Sequence, residues 1–415
     1  MLDLKEIRRD PEPVRAALAR RGAGDVLDDL LSLDARRREL LPRLEELRAT
    51  QNDANDKIAE AKRSGGDASA AIEEMRGVAA EVKKLQAEVG EVEAQLQTAL
   101  AGVPNPPDPS APDEDEVLRE VGESGATGRD HLELLGDLVD MEAGARVAGS
   151  RFAYLKGPLV LLEFALVRWA LEVLGGKGFE PVVPPVLVRE EALYGTGFLP
   201  DTEQQIYSLP DDELYLAGTA EVPLASLHAG EIAPEERLPM RYAGFSPCFR
   251  REAGAAGKDT RGIFRVHQFD KVEMFTFVKP EDSPDEHERL LAIEEKILQA
   301  LEIPYRVVNI AVGDLGASAV KKYDLEAWLP GQERFRELTS CSNTTDFQAR
   351  RLDIRYRTGD GNVQHVHTLN GTAVAVGRTI IAIVENHQQG DGTIAVPPVL
   401  HAFGAPETIT TAANP

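Results

Sequence analysis

The sequence predicts an α+β protein with two parts: an antiparallel coiled-coil hairpin at the N-terminus, then a domain built on an antiparallel sheet. Two patterns lead to this prediction. Apolar residues recur at heptad spacing through roughly the first hundred positions, which is typical of coiled coils. From residue 130 onward, short alternating runs follow one another without helices between them. This second pattern favours an antiparallel sheet over a doubly wound parallel one.

The hairpin consists of two heptad series joined by a turn. The first series repeats every seven residues, with partner positions in between: Leu33, Leu40, Leu47 and Ala54, with Leu44, Gln51 and Ile58. The second series alternates spacings of three and four: Met75, Val78, Val82, Leu85, Val89, Val92 and Leu96. Residues 64–67 interrupt the pattern and predict the turn. At 1.5 Å per residue, about 35 residues give an arm of roughly 50 Å. Pro42 predicts a kink or a broken turn in the first helix.

Residues 104–129 are predicted to be a linker, because 104–112 hold five prolines and an acidic run follows at 113–116. Prolines disfavour a helix and like charges repel, so the segment is interpreted as a hinge between two bodies. The predicted domains are therefore residues 1–103 and 130–415, joined by this linker. Within the second domain, helices are predicted at 158–175, 285–302 and 373–388, and strands at 242–249, 264–277, 305–310 and 323–328.

Charge and cysteine content exclude several classes of protein. The 46 Lys and Arg residues against 70 Asp and Glu residues give a net charge of −24, which excludes a general basic coat for nucleic acid. Cys248 and Cys341 form no C-x-x-C pair, so a disulfide scaffold and a cysteine zinc cage are excluded, and a reducing cytosol fits. The most apolar stretch, 159–174, contains three charged residues, so no membrane span is expected.

A local excess of positive charge lies in residues 250–271, against the acidic balance of the whole chain. Its basic residues are Arg250, Arg251, Lys258, Arg261, Arg265 and Lys271. The flanking runs alternate like strands, so a hairpin could present arginines to a triphosphate. Gly257-Lys258 does not complete a P-loop, because Glu252 and Asp259 occupy the required glycine and hydroxyl positions. Charge alone does not distinguish such a phosphate-binding hairpin from an ordinary solvated hairpin, and the two remain equally possible.

Three carboxylates and an arginine form a second candidate group. Glu221, Glu273 and Glu337 lie on or beside predicted strands. Carboxylates near arginines can hold an ammonium group or a divalent cation, although each taken singly is more typical of a surface or paired residue. Arg378 lies in an apolar helical segment, where a charge is costly unless it pairs or lines a cavity. The alternative is a side chain that snorkels to solvent.

These motifs resemble those of the class II aminoacyl-tRNA synthetases and, over nearly the whole chain, the bacterial-type seryl-tRNA synthetases. The generic class II motifs correspond to residues 178–185, 249–273 and 377–378. Three strings are specific to the seryl branch: Thr-Ala-Glu at 219–221, Ser-Cys-Ser-Asn at 340–343 and Phe-Gln-Ala-Arg-Arg at 347–351. The resemblance implies a class II catalytic domain with an antiparallel sheet, preceded by a tRNA-binding domain that contains the coiled-coil hairpin.

The resemblance also implies an ATP site with Arg250 and Arg378 as catalytic residues. Arg250 is expected at the α-phosphate, and Arg378 stacks on the adenine while reaching the γ-phosphate. Phe269 is expected on the other adenine face, and Glu252 accepts a hydrogen bond from the adenine amino group. The implied ATP-binding set is Arg250, Arg251, Glu252, Val266, Phe269, Glu337, Leu338, Thr339, Ser340 and Arg378.

For serine, the resemblance implies that Thr219 and Glu221 bind the ammonium group, while Glu273 and Thr372 bind the hydroxyl. A pocket built around a hydroxyl leaves polar groups unpaired when alanine enters, and it rejects alanine for that reason. The implied serine-binding set is Thr219, Ala220, Glu221, Arg250, Glu273 and Thr372. Mg²⁺ is expected between the phosphates of ATP, held by Glu337 and Ser340, and no zinc is expected.

The implied activity is that of a serine–tRNA ligase. Such an enzyme activates L-serine with ATP to seryl-adenylate plus pyrophosphate and transfers serine to the 3′ end of tRNA(Ser), with tRNA(Sec) as a second candidate acceptor. Two alternatives remain: an adenylating paralogue that loads a non-tRNA acceptor, and a non-catalytic synthetase-like binding protein. The hairpin is implied to contact the long arm of the tRNA, the alternative being a structural or dimerising coiled coil. A cytoplasmic homodimer without membrane attachment is expected.

Overall fold

The computed structural model describes residues 1–65, 67–200, 205–253 and 261–410. It divides into two compact units, Leu2–Pro104 and Asn105–Pro415, the latter joined by Met1. The first unit is helical: α1 (Leu4–Arg9), α2 (Pro11–Ala19), α3 (Val26–Arg63) and α4 (Ser69–Gly102). No helix in the described ranges is long and apolar enough to cross a membrane.

Helices α3 and α4 form the predicted hairpin. Its apolar seam comes from the inner halves of both heptad series: Leu40, Leu44, Val82, Leu85, Val89 and Val92. Ion pairs cross the hairpin beside this seam, with Arg37 Nε 2.8 Å from Glu93 Oε1 and Arg43 Nη2 2.9 Å from Glu81 Oε1. The predicted coiled-coil pairing is therefore confirmed, with charged flanks around an apolar stripe.

Pro42 does not interrupt the first arm of the hairpin. The proline was expected to kink the helix or break a turn, and the broken turn is not found, because α3 runs without a break from Val26 to Arg63. Pro42 removes one backbone donor. The helix continues because its neighbours Leu40 and Leu44 are buried against α4, and this packing offsets the lost hydrogen bond.

Among its described residues, the second unit contains eight further α-helices and all of the strands. The helices are α5 (His131–Leu135), α6 (Met141–Ala148), α7 (Pro158–Gly175), α8 (Glu190–Thr196), α9 (Glu221–Ala225), α10 (Ser283–Ala300), α11 (Phe347–Leu352) and α12 (Val376–Asn386). The strands are β1 (Glu116–Val121), β2 (Val139–Asp140), β3 (Tyr154–Leu155), β4 (Glu180–Val182), β5 (Leu187–Val188), β6 (Tyr207–Leu209), β7 (Leu214–Leu216), β8 (Ile232–Pro234), β9 (Met240–Phe249), β10 (Gln268–Val278), β11 (Tyr305–Asn309), β12 (Lys321–Leu329), β13 (Arg334–Asn343), β14 (Arg355–Arg357), β15 (Val363–His365), β16 (His367–Ala375), β17 (Ile394–Ala395) and β18 (Thr408–Ile409).

An eight-stranded sheet organises this unit, in the order β1-β11-β12-β13-β16-β10-β9-β4. Its pairs are antiparallel, as predicted, except that β4 pairs with β9 in parallel. Helices α7, α10 and α12 share one buried apolar cluster with the strands. The α+β class and the antiparallel sheet are therefore confirmed.

Two element boundaries differ from the predictions by more than two residues, both next to the sheet centre. The helix predicted from residue 373 begins at Val376, because residues 373–375 complete β16 and pair with β10. The strand predicted from residue 264 begins at Gln268, because Phe264, Arg265 and Val266 turn away to line a cavity. The apolar pattern of the sequence is the same on both sides of each boundary, so it could not show where α12 and β10 begin.

The segment predicted as a hinge is packed into the second unit from Asn105 onward. Its backbone N–H groups bond within that unit: Asn105 N donates to Ala317 O at 2.8 Å, and Asp108 N donates to Val320 O at 2.9 Å. Further along, β1 pairs antiparallel with β11 at the edge of the sheet. Prolines exclude a helix but are compatible with extended chain against a sheet edge, and composition could not separate this arrangement from a free linker.

Strand register decides which side chains face the open side of the sheet. Glu273 of β10 pairs with Thr372 of β16, and Gly371 pairs with Cys341 of β13. A Cβ on Gly371 would lie 2.9 Å from Oε1 of Glu294 on α10, so position 371 faces that helix. Because side chains alternate along a strand, Thr372 and Asn370 face the opposite, open side.

Candidate active site

A cavity of about 410 Å³ lies on the open side of the sheet. All predicted site residues except Ala220 and Arg251 line it: Thr219, Glu221, Arg250, Glu252, Val266, Phe269, Glu273, Glu337, Leu338, Thr339, Ser340, Thr372 and Arg378. They come from β10, β13 and β16, from the chain that follows β9 and precedes β10, and from the starts of α9 and α12. The sheet thus brings together residues that are far apart in sequence.

A buried polar group in the cavity is built on Glu273. Its carboxylate is only 2% exposed and forms an ion pair with Lys271, which is 6% exposed. Thr372 Oγ1 donates to Glu273 Oε2 at 3.4 Å across the β10–β16 pair. A buried carboxylate needs such partners, because its desolvation would otherwise oppose ionisation. The group presents one acceptor and one hydroxyl at the floor of the cavity.

Glu221 lies beside this floor, in the first turn of α9. Two amides donate to its Oε1: Gln348 Nε2 at 2.8 Å and Asn370 Nδ2 at 3.0 Å. Burial and the nearby Glu273 charge raise the pKa of Glu221 to about 7, against the opposing effect of the Gln348 hydrogen bond. This carboxyl therefore changes charge near neutral pH, where an entering ammonium group would favour its ionised form.

Arg250 follows the end of β9 and enters the cavity from its side. Its Nε donates to Gly218 O at 3.1 Å, and its guanidinium lies 5.3 Å from the centre of the Phe269 ring. The backbone N–H of Arg250 donates to His267 O at 2.9 Å, which extends the β9–β10 pairing. These contacts fix the stem of Arg250 and leave its fork beside the cavity, near Phe269 and the Glu273–Thr372 floor.

Arg378 closes the other end of the cavity from the first turn of α12. Its Nη1 donates to Glu337 O at 2.9 Å and its Nε to Phe264 O at 3.4 Å. The guanidinium lies 4.6 Å from the centre of the Phe264 ring. Burial lowers the pKa of Arg378, against the effect of Glu337, but an arginine stays charged at neutral pH. The apolar segment around Arg378 therefore places a cation at a cavity wall. The alternative, a side chain that extends along the apolar surface to solvent, is not observed.

A carboxylate and a hydroxyl suited to Mg²⁺ lie on β13. Burial would raise the pKa of Glu337, but Arg378, Lys322 and Arg250 together hold it below its usual value. Ser340 lies opposite Asp324 in the β12–β13 ladder. Within the described ranges no group of three or more His, Cys, Asp or Glu side chains could hold a metal. Because Mg²⁺ is commonly held by one or two carboxylates together with substrate phosphates, Glu337 and Ser340 fit that ion only with a nucleotide present.

Three of the predicted residues are placed differently from the rest. Arg251 lies outside the cavity, with its guanidinium 5.9 Å from the centre of the Tyr207 ring, because successive side chains at the strand end point to opposite faces. Ala220 is fully buried at the N-cap of α9. Thr339 borders the cavity, but its Oγ1 donates to Glu294 Oε2 at 3.0 Å and so faces α10.

The basic residues of 250–271 do not gather at one surface: Arg250, Arg265 and Lys271 line the cavity, whereas Arg251 and Arg261 do not. Arg265 Nη1 donates to Glu252 Oε2 at 2.7 Å, and Arg261 Nη2 lies 3.1 Å from Asp130 Oδ2. Lys258 lies outside the described residues. Three of the five described basic residues, Arg261, Arg265 and Lys271, are therefore paired with carboxylates, which net charge along the sequence does not reveal.

Sequence reasoning assigned no specific role to Lys271, Gln348 or Asn370. The spacing of Lys271 and Glu273 carried a usable signal, because residues two apart on a strand face the same way. Gln348 and Asn370 meet Glu221 from α11 and β16. Their separation from Glu221 exceeds a hundred residues, so no local pattern could have paired them.

Comparisons with known proteins agree with this geometry. The family model for the tRNA synthetase class II core domain (G, H, P, S and T) matches residues 206–387, and that for the seryl-tRNA synthetase N-terminal domain matches residues 1–107. The serine–tRNA ligases of Thermobifida fusca and Streptomyces coelicolor are 50% identical over 414 residues and 49% identical over 416 residues, each covering 97% of both chains.

A solved structure gives the same result for the whole fold. The crystal structure of seryl-tRNA synthetase from Pyrococcus horikoshii complexed with ATP superposes with a TM-score of 0.91 at 42% identity, covering 99% of this chain and 100% of that chain. The resemblance predicted from the motifs is thereby confirmed over the full length. The chain belongs to the seryl-tRNA synthetase family of class II aminoacyl-tRNA synthetases.

Proposed function

We propose that this chain activates L-serine with ATP, forming seryl-adenylate and pyrophosphate, and then transfers the seryl group to the 3′ end of tRNA(Ser). It is thus an ATP-dependent serine–tRNA ligase. The observation that carries the proposal is the buried Glu273–Thr372 pair in a cavity that also contains Arg250 and Arg378. A hydroxyl-reading floor beneath two phosphate-binding arginines fits an amino acid with a hydroxyl side chain next to a nucleotide.

Serine is held by three contacts in this proposal. The ionised Glu221 carboxylate binds the serine ammonium group, Glu273 accepts a hydrogen bond from the serine hydroxyl, and Thr372 donates to it. Lys271 balances the charge of Glu273, which keeps Glu273 available as an acceptor. Alanine would leave Glu273 and Thr372 without a ligand partner, and unpaired buried polar groups of this kind strongly disfavour a substrate.

The first reaction needs positioning and charge more than acid–base catalysis. The serine carboxylate is already ionised, and it attacks the α-phosphorus as the bond to pyrophosphate breaks. Arg250 donates to the α-phosphate oxygens, where negative charge builds in the transition state. Because Arg250 also borders the serine site, it holds nucleophile and phosphate within reach of each other.

The nucleotide is held in this proposal by Phe269, Glu252 and Arg378, which all line the cavity. Adenine stacks on Phe269 and Arg378, while Glu252 accepts from its amino group and Arg378 reaches the γ-phosphate. Arg265 already donates to Glu252 and orients that carboxylate. Glu337 and Ser340 would hold Mg²⁺, which neutralises phosphate charge when bound with ATP.

The second reaction brings in tRNA, and the α3–α4 hairpin is proposed to bind it. The hairpin carries paired charges on its flanks, so it would recognise the backbone and shape of a long tRNA arm more than attract it by net charge. tRNA(Sec) is a second candidate acceptor, to be compared with tRNA(Ser) in the same serylation assay. The substrates and the free thiols Cys248 and Cys341 fit a cytoplasmic location.

A homodimer is proposed from the apolar surface around α7. Phe164 is 63% exposed and Val183 is 79% exposed, and Leu161 of α7 is also exposed. Apolar side chains clustered at a surface are typical of an interface, and a second copy of the same patch is the simplest partner. Sedimentation at twice the chain mass would support the dimer, and a monomer at micromolar concentration would contradict it.

The experiment that tests the function is the exchange of labelled pyrophosphate into ATP, measured with each standard amino acid in the presence of Mg²⁺. Exchange with serine alone is the expected result. Exchange with another amino acid would contradict the roles of Glu273 and Thr372. Serine-dependent exchange without serylation of tRNA would instead support a paralogue with a different acceptor.

The kcat/KM for serine is expected to fall as the pH is lowered through about 7. The pKa of Glu221 is raised to about 7 by burial and by Glu273, and only the ionised carboxylate attracts an ammonium group. Above this pH Glu221 is charged and binds serine; below it, protonation removes the attraction. Exchange rates measured at subsaturating serine over a range of pH would show this fall, the acidic limb of the pH profile. Glu221→Gln should abolish it, and a limb that persists in that variant would belong to another group.

A further inference from the structure

A buried histidine outside the reacting groups connects two parts of the nucleotide site. His131 is the first residue of α5, and it lies between residue 263 and the end of α12. Its Nδ1 is 3.1 Å from Glu385 Oε1, and its Nε2 accepts the backbone N–H of Ile263 at 3.3 Å. Both His131 and Glu385 are buried. Neither residue lines the cavity described above.

These partners determine which ring nitrogen carries the proton. A backbone N–H can only donate, so Nε2 of His131 must be an acceptor, and Nδ1 then carries the proton and donates to Glu385. Glu385 is held in turn by two backbone donors: His131 N at 3.1 Å to Oε1, and Gly331 N at 2.9 Å to Oε2. The carboxylate therefore has a fixed position and orients the imidazole.

The chain passes His131 closely enough to require glycine. Gly262 has a φ of +77°, and a Cβ on it would lie 2.1 Å from His131 Nε2. A larger residue would have to displace the ring or leave the left-handed conformation. Arg261 adds an ion pair with Asp130, at 3.1 Å, on the same segment. Residues 261–263 are thus held close to His131 by a glycine that leaves room for the ring and by an ion pair beside it.

The residue after Ile263 makes the connection to the cavity. The Phe264 ring lies under two guanidiniums, 4.6 Å from Arg378 and 3.9 Å from Arg336, and the Phe264 carbonyl accepts from Arg378 Nε. Arg378 and Glu385 lie seven residues apart on α12, about two turns. The contacts therefore form a closed circuit from Glu385 through His131 and residues 263–264 back to Arg378.

We propose that His131 is a positioning residue for the nucleotide end of the site: held by Glu385, it fixes residues 263–264 and through Phe264 the direction of the Arg378 side chain. This inference rests on the proposed role of Arg378 in binding ATP. It assigns His131 an effect on ATP and none on serine, whose contacts come from Glu221, Glu273 and Thr372.

A matched pair of substitutions separates the two hydrogen bonds. In His131→Asn the side-chain amide can still donate to Glu385, but no acceptor remains for Ile263. In His131→Gln the amide oxygen can reach the Nε2 position and accept from Ile263. We expect His131→Asn to raise the KM for ATP by about tenfold, because a buried N–H loses its partner. We expect the KM for serine to stay within about twofold, and His131→Gln to restore most of the ATP affinity.

Three results would overturn the proposal. One is an equal rise in the KM for ATP in both variants, and another is a rise for serine as large as that for ATP. The third comes from the double variant: if His131→Asn raises the KM for ATP as much in an Arg378→Ala background as in the parent chain, His131 does not act through Arg378. Arg378→Ala alone tests the proposed function separately, since an unchanged KM for ATP in that variant contradicts the role of Arg378 itself.

A second variant approaches the same contact from the chain side. Gly262→Ala should displace residues 262–263 from the imidazole and reproduce the rise in the KM for ATP without altering His131. Thermal unfolding of each variant identifies any that fail to fold. A folded Gly262→Ala protein with unchanged affinity for ATP would overturn the proposal.

Discussion

Replacing Arg250 with alanine is expected to lower the rate of serine-dependent pyrophosphate exchange by about a thousandfold, the range seen when a transition-state donor or a phosphate-binding arginine is lost. Arg250 reaches the cavity near Phe269 and the floor formed by Glu273 and Thr372. Its Nε donates to the Gly218 carbonyl, which holds the side chain in place. In the proposed arrangement its fork borders both serine and ATP. The loss should appear mainly in kcat, because the charge it stabilises is greatest in the transition state.

The next residue in the chain provides a matched control. Arg251→Ala removes the same charge one position away, but Arg251 lies outside the cavity against Tyr207. Its exchange rate should stay within a few fold of the parent chain, as expected for a surface substitution. Arg250→Lys should recover little activity, because an ammonium group lacks the planar fork that contacts two oxygens. Equal losses in Arg250→Ala and Arg251→Ala would contradict the assignment of the catalytic cation.

Shortening the hairpin is expected to separate the two half-reactions. Deleting residues 51–75 and joining the arms by a short turn removes the outer part of α3 and α4 while keeping the buried seam from Leu40 to Val92. Serylation of tRNA should lose about a hundredfold or more in kcat/KM, since contacts worth about 3 kcal/mol correspond to a factor of that size. The rate of pyrophosphate exchange should not change, because every residue that lines the cavity lies in the other unit.

The measurement is a comparison of exchange and serylation rates on the same preparation, with unfolding monitored as a control. Serylation at the parental rate would mean that the hairpin is a structural coiled coil and that tRNA is bound elsewhere. A loss of exchange together with serylation would mean that the deletion damages the catalytic unit, and it would contradict the independence of the two units. Sedimentation of the shortened protein tests whether the hairpin contributes to dimerisation.

Sequence periodicity predicted the helical parts well and the ends of strands less well. The heptad spacing predicted that Leu44 and Leu85 share one seam, and both are buried there. At the centre of the sheet, residues 373–375 continue β16 before α12 begins. An apolar alanine–valine run satisfies either structure locally, and pairing with β10 decides between them.

For the candidate site, the sequence predicted which residues line the cavity but not the direction of every side chain. Motif residues such as Arg250, Glu273 and Arg378 line one cavity, because residue type and motif spacing reflect the chemistry that they serve. The direction of a side chain was not predictable in the same way. Thr339 stands among cavity residues in the sequence, yet its hydroxyl binds Glu294 on α10, since strand register and a neighbouring helix set its partner.

The sequence by itself determined the class of fold, the hairpin, the family and the set of residue types at the site, because each of these is expressed in local spacing or in short motifs. Only the tertiary structure decided which charges are paired and which line the cavity. Lys271 meets Glu273 in a buried ion pair, and His131 meets Glu385 across 254 positions of the chain. Strand register and packing determine which of these groups meet. Burial makes an unpaired charge or hydrogen-bonding group costly, so each buried group needs such a partner.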